Sequence, residues 1–272
     1  MRRSWAGFPQ GKPLVMGILN VTPDSFSDGG QNNDPVGAGL AMVEAGADLI
    51  DIGGESTRPG AVDLPVDEEI ARIRAVIAAL ARAGVAISVD TRNAETMRVA
   101  LGEGARIIND VSGFAYDPQA LRVVAEAGCP VVVMHMRGRP ATMNALAVYD
   151  DLVADVRREL TARVDDALQA GVAAAAICID PGLGFAKNAA QDAELLRRLP
   201  ELQIGDHPVL IGASRKRFVG ALSGEAVAAH RVGGSVAAAL WAVAHGADIL
   251  RVHDVAQTVQ AIRVWRGLGG LM

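Results

Sequence analysis

The chain has 272 residues, half of them apolar but only 4% aromatic, with a formal net charge of −5 at pH 7. That length suits one large domain that buries about three quarters of its unfolded surface in an aliphatic core. The acidic balance excludes a nucleic-acid backbone or an anionic membrane as the main partner, and no apolar run approaches the ~18 residues of a spanning helix. Cys129 and Cys178 sit in apolar surroundings without CxxC or Cys/His metal spacing. They read as small buried thiols of a reducing compartment. The expectation is a soluble, cytoplasmic protein.

Taken in chain order, eight short apolar runs read as buried strands. They are Leu14 to Leu19, Ala47 to Ile50, Val85 to Val89, Ala105 to Ile108, Val131 to Met134, Ala174 to Ile179, Pro208 to Ile211 and Ile249 to Leu250. They close on polar residues, in order Asn20, Asp51, Asp90, Asn109, His135, Asp180, Ser214 and Arg251. Ala-rich helical stretches separate most of them. A helix–Gly–strand junction recurs at Gly46, Gly84, Gly104, Gly128, Gly171 and Gly246, where a left-handed glycine ends the helix. The seventh junction uses Pro200 and a linker through Gly205 and Pro208. Helix starts are marked by the acidic Asp67, Glu68 and Glu69, by Asp117-Pro118, and by Asp254 as a cap. Strands alternating with helices predict an α/β fold, a closed parallel (β/α)8 TIM barrel. We expect a single domain over 1–272 with its core at about 14–266. Its strand C-termini gather at one mouth, where chemistry sits. Two connections, Asn20 to Asp34 and Gly53 to Pro65, exceed the usual ~2–6 residues and predict a pair of lids over that mouth. Plain mobile loops are the alternative.

Five strings carry the unusual chemistry. They read N-V-T-P-D-S-F-S-D-G-G (Asn20 to Gly30), D-I-G-G-E-S-T-R-P-G (Asp51 to Gly60), D-P-G-L-G-F-A-K (Asp180 to Lys187), G-A-S-R-K-R-F (Gly212 to Phe218) and R-V-H-D-V (Arg251 to Val255). Asp90 and Asp180 are carboxylates at the ends of buried strands, and each can accept two parallel N–H bonds from a flat heterocycle. Asn109 can donate and accept at once, and Lys216 adds a positive donor. For one such residue a helix cap or barrel filling explains as much, and Asp51 could simply satisfy backbone N–H groups at the rim. For several converging on one mouth without a ligand, the buried polarity would cost several kcal/mol.

Together the five strings resemble dihydropteroate synthase, the folate-pathway family that sulfonamides inhibit. The resemblance spans Leu14 to about Arg266. It implies a transferase that joins a hydroxymethyl-dihydropterin diphosphate to p-aminobenzoate, releasing diphosphate. By resemblance, Asp90, Asn109, Asp180 and Lys216 form the pterin pocket, with Met134 and Phe185 as walls. Asn20, Arg251 and His253 hold the diphosphate, and Asn20 contacts an accompanying Mg²⁺. Thr57, Arg58 and Pro59, with Phe185 and Lys216, form the p-aminobenzoate site. Arg217 stands where many family members carry Ser, so either its side chain or a backbone N–H meets the carboxylate. Asp28 stabilises positive charge developing on the pterin methylene, unless it only caps a turn. Asp28, Thr57, Arg58 and Lys216 are the catalytic candidates. The small-molecule substrates are the expected partners, together with a second copy of the chain. Homodimer formation follows by analogy, with Trp241 and Trp265 of the last two helical stretches as contact candidates, ordinary helix-to-barrel packing being the equal alternative. His207, His230 and His245 receive no role, and His135 a weak one.

Three other readings stay open on sequence. A corrinoid-dependent pterin methyltransferase shares the strand-end Asp/Asn pattern, but it lacks the two loop strings and does not need Arg251 and His253. A Schiff-base aldolase would use Lys216. A silent paralogue would bind pterin without turnover.

Overall fold

The computed structural model describes residues 5–8, 11–22, 34–56 and 63–270. They form eight parallel strands, β1 (Leu14–Asn20), β2 (Leu49–Gly53), β3 (Ile87–Asp90), β4 (Ile107–Asp110), β5 (Val131–Met134), β6 (Ile177–Asp180), β7 (Leu210–Ile211) and β8 (Ile249–Val252). Among the described residues there are nine α-helices. Six of them connect β1 through β7: α1 (Pro35–Glu44), α2 (Val66–Arg82), α3 (Ala94–Gly102), α4 (Ala120–Ala127), α5 (Leu152–Gln169) and α6 (Ala189–Arg197). Two, α7 (Arg217–Ser223) and α8 (Val232–Ala244), lie between β7 and β8, and α9 (Val255–Gly267) follows β8. The sheet order is β6-β5-β4-β3-β2-β1-β8-β7. A single bridge between Ile179 and Val209 brings β6 to β7 and closes the (β/α)8 barrel.

The six junction glycines all adopt left-handed backbone, with φ from +62° at Gly128 to +108° at Gly104. After five of them the next residue donates back to the helix it has just left. Ala47 bonds Met42 O, Val85 bonds Leu80 O, Ala105 bonds Ala100 O, Val172 bonds Ala167 O and Ala247 bonds Ala242 O, at 2.9–3.1 Å. This is why several strands begin later than their apolar runs: the first residues of each run are spent closing a helix. Ala174–Ala176, expected as strand, is a 3₁₀ turn. The acidic start of α2 is as expected. Asp117 marks the approach to α4, accepting from Gln119 N at 2.8 Å, while its other oxygen accepts from Ala94 N at the start of α3. Asp254 precedes α9, but its side chain makes no cap and instead pairs with Arg215. A guanidinium within reach offers two charge-assisted bonds, which outcompete one backbone N–H.

Side chains alternate along each strand, and the inward set is apolar low and polar high. Trp5, Leu14, Met16, Leu49, Ile107, Val132, Cys178, Leu210 and Ile249 pack into one cluster at the barrel floor. Trp5 seals it, donating from its indole to Ala176 O at 2.8 Å. Two residues beyond Leu49, Ile107, Cys178 and Ile249 come Asp51, Asn109, Asp180 and Arg251, and Asn20 and Asp90 end β1 and β3. Strand register places Asn20, Gly53, Asp90 and Asn109 in one hydrogen-bonded row, and Met134 opposite Asp180. Among the described residues no helix is long and apolar enough to cross a membrane.

Candidate active site

Four residues from separate strands meet inside the mouth. Asp51 Oδ2 accepts from Asn109 Nδ2 at 3.0 Å and from Arg251 Nε at 2.6 Å. The same guanidinium donates from Nη2 to Asp90 Oδ2 at 2.8 Å. Asp51 is fully buried, so it is not the rim cap that its position suggested; it anchors Arg251. Burial would lower the Arg251 pKa, but Asp51 and Asp90 raise it, and it stays charged. Burial pushes Asp90 up to about 7 against the pull of Arg251, with the Asp51 charge adding to the rise. The second oxygens, Oδ1 of Asp51 and of Asp90, are buried with no hydrogen-bond partner. Each such orphan costs roughly 1–3 kcal/mol, which a ligand offering N–H donors or a cation would recover.

Across the mouth, Asp180 and Lys216 face one another from β6 and the β7 loop. Burial raises the Asp180 carboxyl and lowers the Lys216 amine, and each opposes the other's shift. Asp180 Oδ1 accepts from Gly182 N at 2.7 Å. Lys216 Nζ donates to Leu183 O and lies 5.0 Å from the Phe185 ring centre. Met134 is buried at the end of β5. Gly182, at φ +68°, has no room for a side chain, because a Cβ there would sit 2.0 Å from His135 O. Gly182→Ala is therefore expected to cost on the order of 3 kcal/mol, read as a lowered urea midpoint; an unchanged midpoint would show that the turn tolerates it.

The loops after β7 and β8 are bound together. Ser214 Oγ accepts from His253 N at 3.2 Å and sits 3.0 Å from His253 Nδ1. Arg215 holds left-handed backbone at φ +58° and grips Asp254 with two bonds of 2.6 and 3.0 Å. Arg217 is exposed, its guanidinium 3.5 Å from Asn144 Oδ1. Asn20 is half-buried at the end of β1. A Cβ placed on Gly53 would lie 3.7 Å from Asn20 Oδ1 and 3.6 Å from Asp90 Cβ, so Asn20 and Asp90 flank that glycine.

Asp28, Thr57, Arg58 and Pro59 lie outside the described residues, as do most of the two expected lids. Residues on either side of 57–62 are held by one buried guanidinium. Arg92 bonds Glu55 at 2.9 and 3.1 Å and Asp63 at 2.7 Å, and it stacks on Tyr116 at 4.0 Å. Sequence reasoning missed this clamp, and it missed the burial of Lys187 and His135, taken up below. His207, His230 and His245 take no part in this cluster; His245 stacks on Trp241 at 4.1 Å.

An eight-stranded barrel with a polar, charge-balanced mouth belongs to a known class. The pattern described as pterin binding enzyme matches residues 16–253. The dihydropteroate synthase of Escherichia coli strain K12 is 47% identical over 256 residues, covering 93% of this chain and 90% of its own. Among solved structures, the Xanthomonas albilineans dihydropteroate synthase with 4-aminobenzoic acid superposes with a TM-score of 0.90 at 48% identity, covering 96% of this chain and 94% of that one. The Yersinia pestis dihydropteroate synthase in a sulfonamide complex gives 0.91 at 43% identity, covering 99% of each. The chain belongs to the dihydropteroate synthase family. It is a transferase of folate biosynthesis.

Proposed function

We propose that this mouth condenses 6-hydroxymethyl-7,8-dihydropterin diphosphate with p-aminobenzoate, with the labour divided as follows. Asp180 accepts the ring N–H and amino donors of the pterin. Asn109 and Asp90 read its other polar edge, and Lys216 donates to its acceptors. Met134 and Phe185 flank the ring. The observation that carries the reading is the convergence of Asp51, Asp90, Asn109, Asp180, Lys216 and Arg251 on one mouth, with Oδ1 of Asp51 and of Asp90 buried and unpartnered. A pterin offers the matching pattern of donors and acceptors.

Arg251, His253 and Asn20 hold the diphosphate. Asp51 and Asp90 fix the guanidinium so that its charge is already in place when the leaving group departs. The oxygens at Asn20 and Asp90 Oδ1 are hard ligands, but among the described residues no group of three His, Cys, Asp or Glu is arranged to hold a metal. That fits Mg²⁺ arriving with its diphosphate and most of its waters, touched by Asn20; when bound it neutralises charge on the leaving diphosphate. The bond between the pterin methylene carbon and the diphosphate oxygen breaks, and the electron pair leaves with oxygen. Asp28 stabilises the positive charge on the methylene. The p-aminobenzoate nitrogen then forms the new C–N bond and sheds a proton. Thr57, Arg58, Pro59, Phe185 and Lys216 position the second substrate, and Arg217 supplies positive charge at the rim for its carboxylate. A sulfonamide, which shares the aniline end of that substrate, competes for this site. We further take the enzyme to be a cytoplasmic homodimer, folded as a single domain, with the exposed Trp241 of α8 and the half-buried Trp265 of α9 on the face that meets the second copy.

Diphosphate release with Mg²⁺, measured with and without p-aminobenzoate while dihydropteroate is followed, tests the reading. Stoichiometric dihydropteroate is expected. Tight pterin binding without product would point instead to a silent paralogue or a methyltransferase relative. Borohydride trapping of Lys216 would point to Schiff-base chemistry.

A further inference from the structure

Lys187 ends the segment after β6, and nothing in the reaction above uses it. It is 1% exposed, and a buried ammonium is costly unless fully bonded. Its Nζ lies 2.9 Å from His135 Nδ1, 3.0 Å from Gly182 O and 2.9 Å from Phe185 O. The two carbonyls can only accept. The far side of the His135 ring decides what Nδ1 does. His135 Nε2 lies 3.1 Å from Glu159 Oε2. Bonds from Arg137 and from His135 hold the Glu159 carboxyl well below the usual range, so it accepts and the ring proton sits on Nε2. Burial, reinforced by the Lys187 charge, lowers the His135 pKa to about 4 and keeps the ring from taking a second proton. Nδ1 is therefore an acceptor as well. Three acceptors require three N–H donors, and only an ammonium has three.

We infer that Lys187, as an ammonium, is a positioning residue for the pterin pocket: it ties the Gly182–Phe185 turn to the end of β5 and so sets the Asp180 carboxylate and the Phe185 wall. The inference rests on the pterin reading above and goes beyond it. Asp180 grips the same turn at Gly182 N, Asp192 of α6 accepts from Gly184 N at 2.6 Å, and Tyr149 donates to Ala186 O at 2.9 Å. Several charges face Lys187. Asp192 and Asp180 favour its ammonium, while Lys216 and Arg137 oppose it. Burial outweighs them all and lowers its pKa to about 7. As pH rises through that value the amine keeps two donors for three acceptors, and the turn loses a tie.

Two variants of the full chain test this, Lys187→Met and Lys187→Gln. Lys187→Met should raise the KM for the pterin diphosphate by on the order of ten- to a hundredfold, the loss of a charged hydrogen-bond donor, with kcat changed less. Lys187→Gln keeps two donors and should lose less. Both should lack the alkaline fall in pterin affinity expected of the native chain. Folded variants with native KM and a native pH profile would overturn the inference. Should neither variant unfold cooperatively, amide hydrogen exchange over residues 182–186 of the native chain decides. Protection corrected for intrinsic exchange should fall between about pH 6 and about pH 9 while the strands hold, and constant protection would overturn the assignment. This readout needs no turnover, so an inactive native chain would count against the proposed reaction without deciding the role of Lys187.

Discussion

Asp180→Ala should abolish pterin binding while the barrel stays folded. Two parallel N–H bonds to a buried carboxylate are worth roughly 3 kcal/mol or more, a loss of at least about a hundredfold in affinity. The native Asp180 also holds Gly182 N, so a lost turn and a lost ligand contact would look alike in that variant. Asp180→Asn separates them. The amide keeps one oxygen for Gly182 N but turns an NH₂ toward the donors of the heterocycle. It should bind as poorly as the Ala variant, measured by titration calorimetry with the diphosphate-free pterin. Retained affinity in the Asn variant would mean that Asp180 serves the turn alone.

Arg251→Ala should lose both substrate and stability. Without the guanidinium, Asp51 and Asp90 are left as buried carboxylates with no direct ion-pair partner, a change worth about 3–5 kcal/mol. The pH dependence has a definite sign. A carboxyl raised in the folded state contributes stability that is present below its ordinary pKa and is lost as pH rises through the raised value. Burial already brings Asp90 to about 7 with Arg251 in place, and removing the cation raises it further. The deficit in the urea midpoint should therefore be larger at about pH 8.5 than at about pH 5.5. Affinity should fall more for the diphosphate form than for the free pterin. Equal deficits at both pH values would show that Asp90 does not titrate against Arg251 in the folded protein.

The strand ends were legible because a parallel barrel forces polar residues to appear where each apolar run stops. The glycine junctions were legible because only glycine ends a helix cheaply at positive φ. What stayed hidden depends on partners distant in sequence. Asp254 reads as a cap until Arg215, 39 residues earlier, reaches it. Asp51 reads as a rim carboxylate until Arg251, 200 residues later, meets it. Lys187 closes the string after β6 with no reading of its own in the sequence; its burial follows from contacts with His135, 52 residues earlier, which no local pattern records. The p-aminobenzoate residues Thr57, Arg58 and Pro59 rest on the resemblance, since all three lie outside the described residues.

The Trp5-sealed floor has a consequence for traffic. With the lower barrel filled by side chains, whatever reaches Asp180, Asn109 or Asp90 enters through the mouth and must leave the same way. A single doorway imposes a sequence on two substrates. On the pockets proposed above, the deeper substrate is expected to arrive first. The spent diphosphate and the joined product must then clear that doorway before the next pterin can enter.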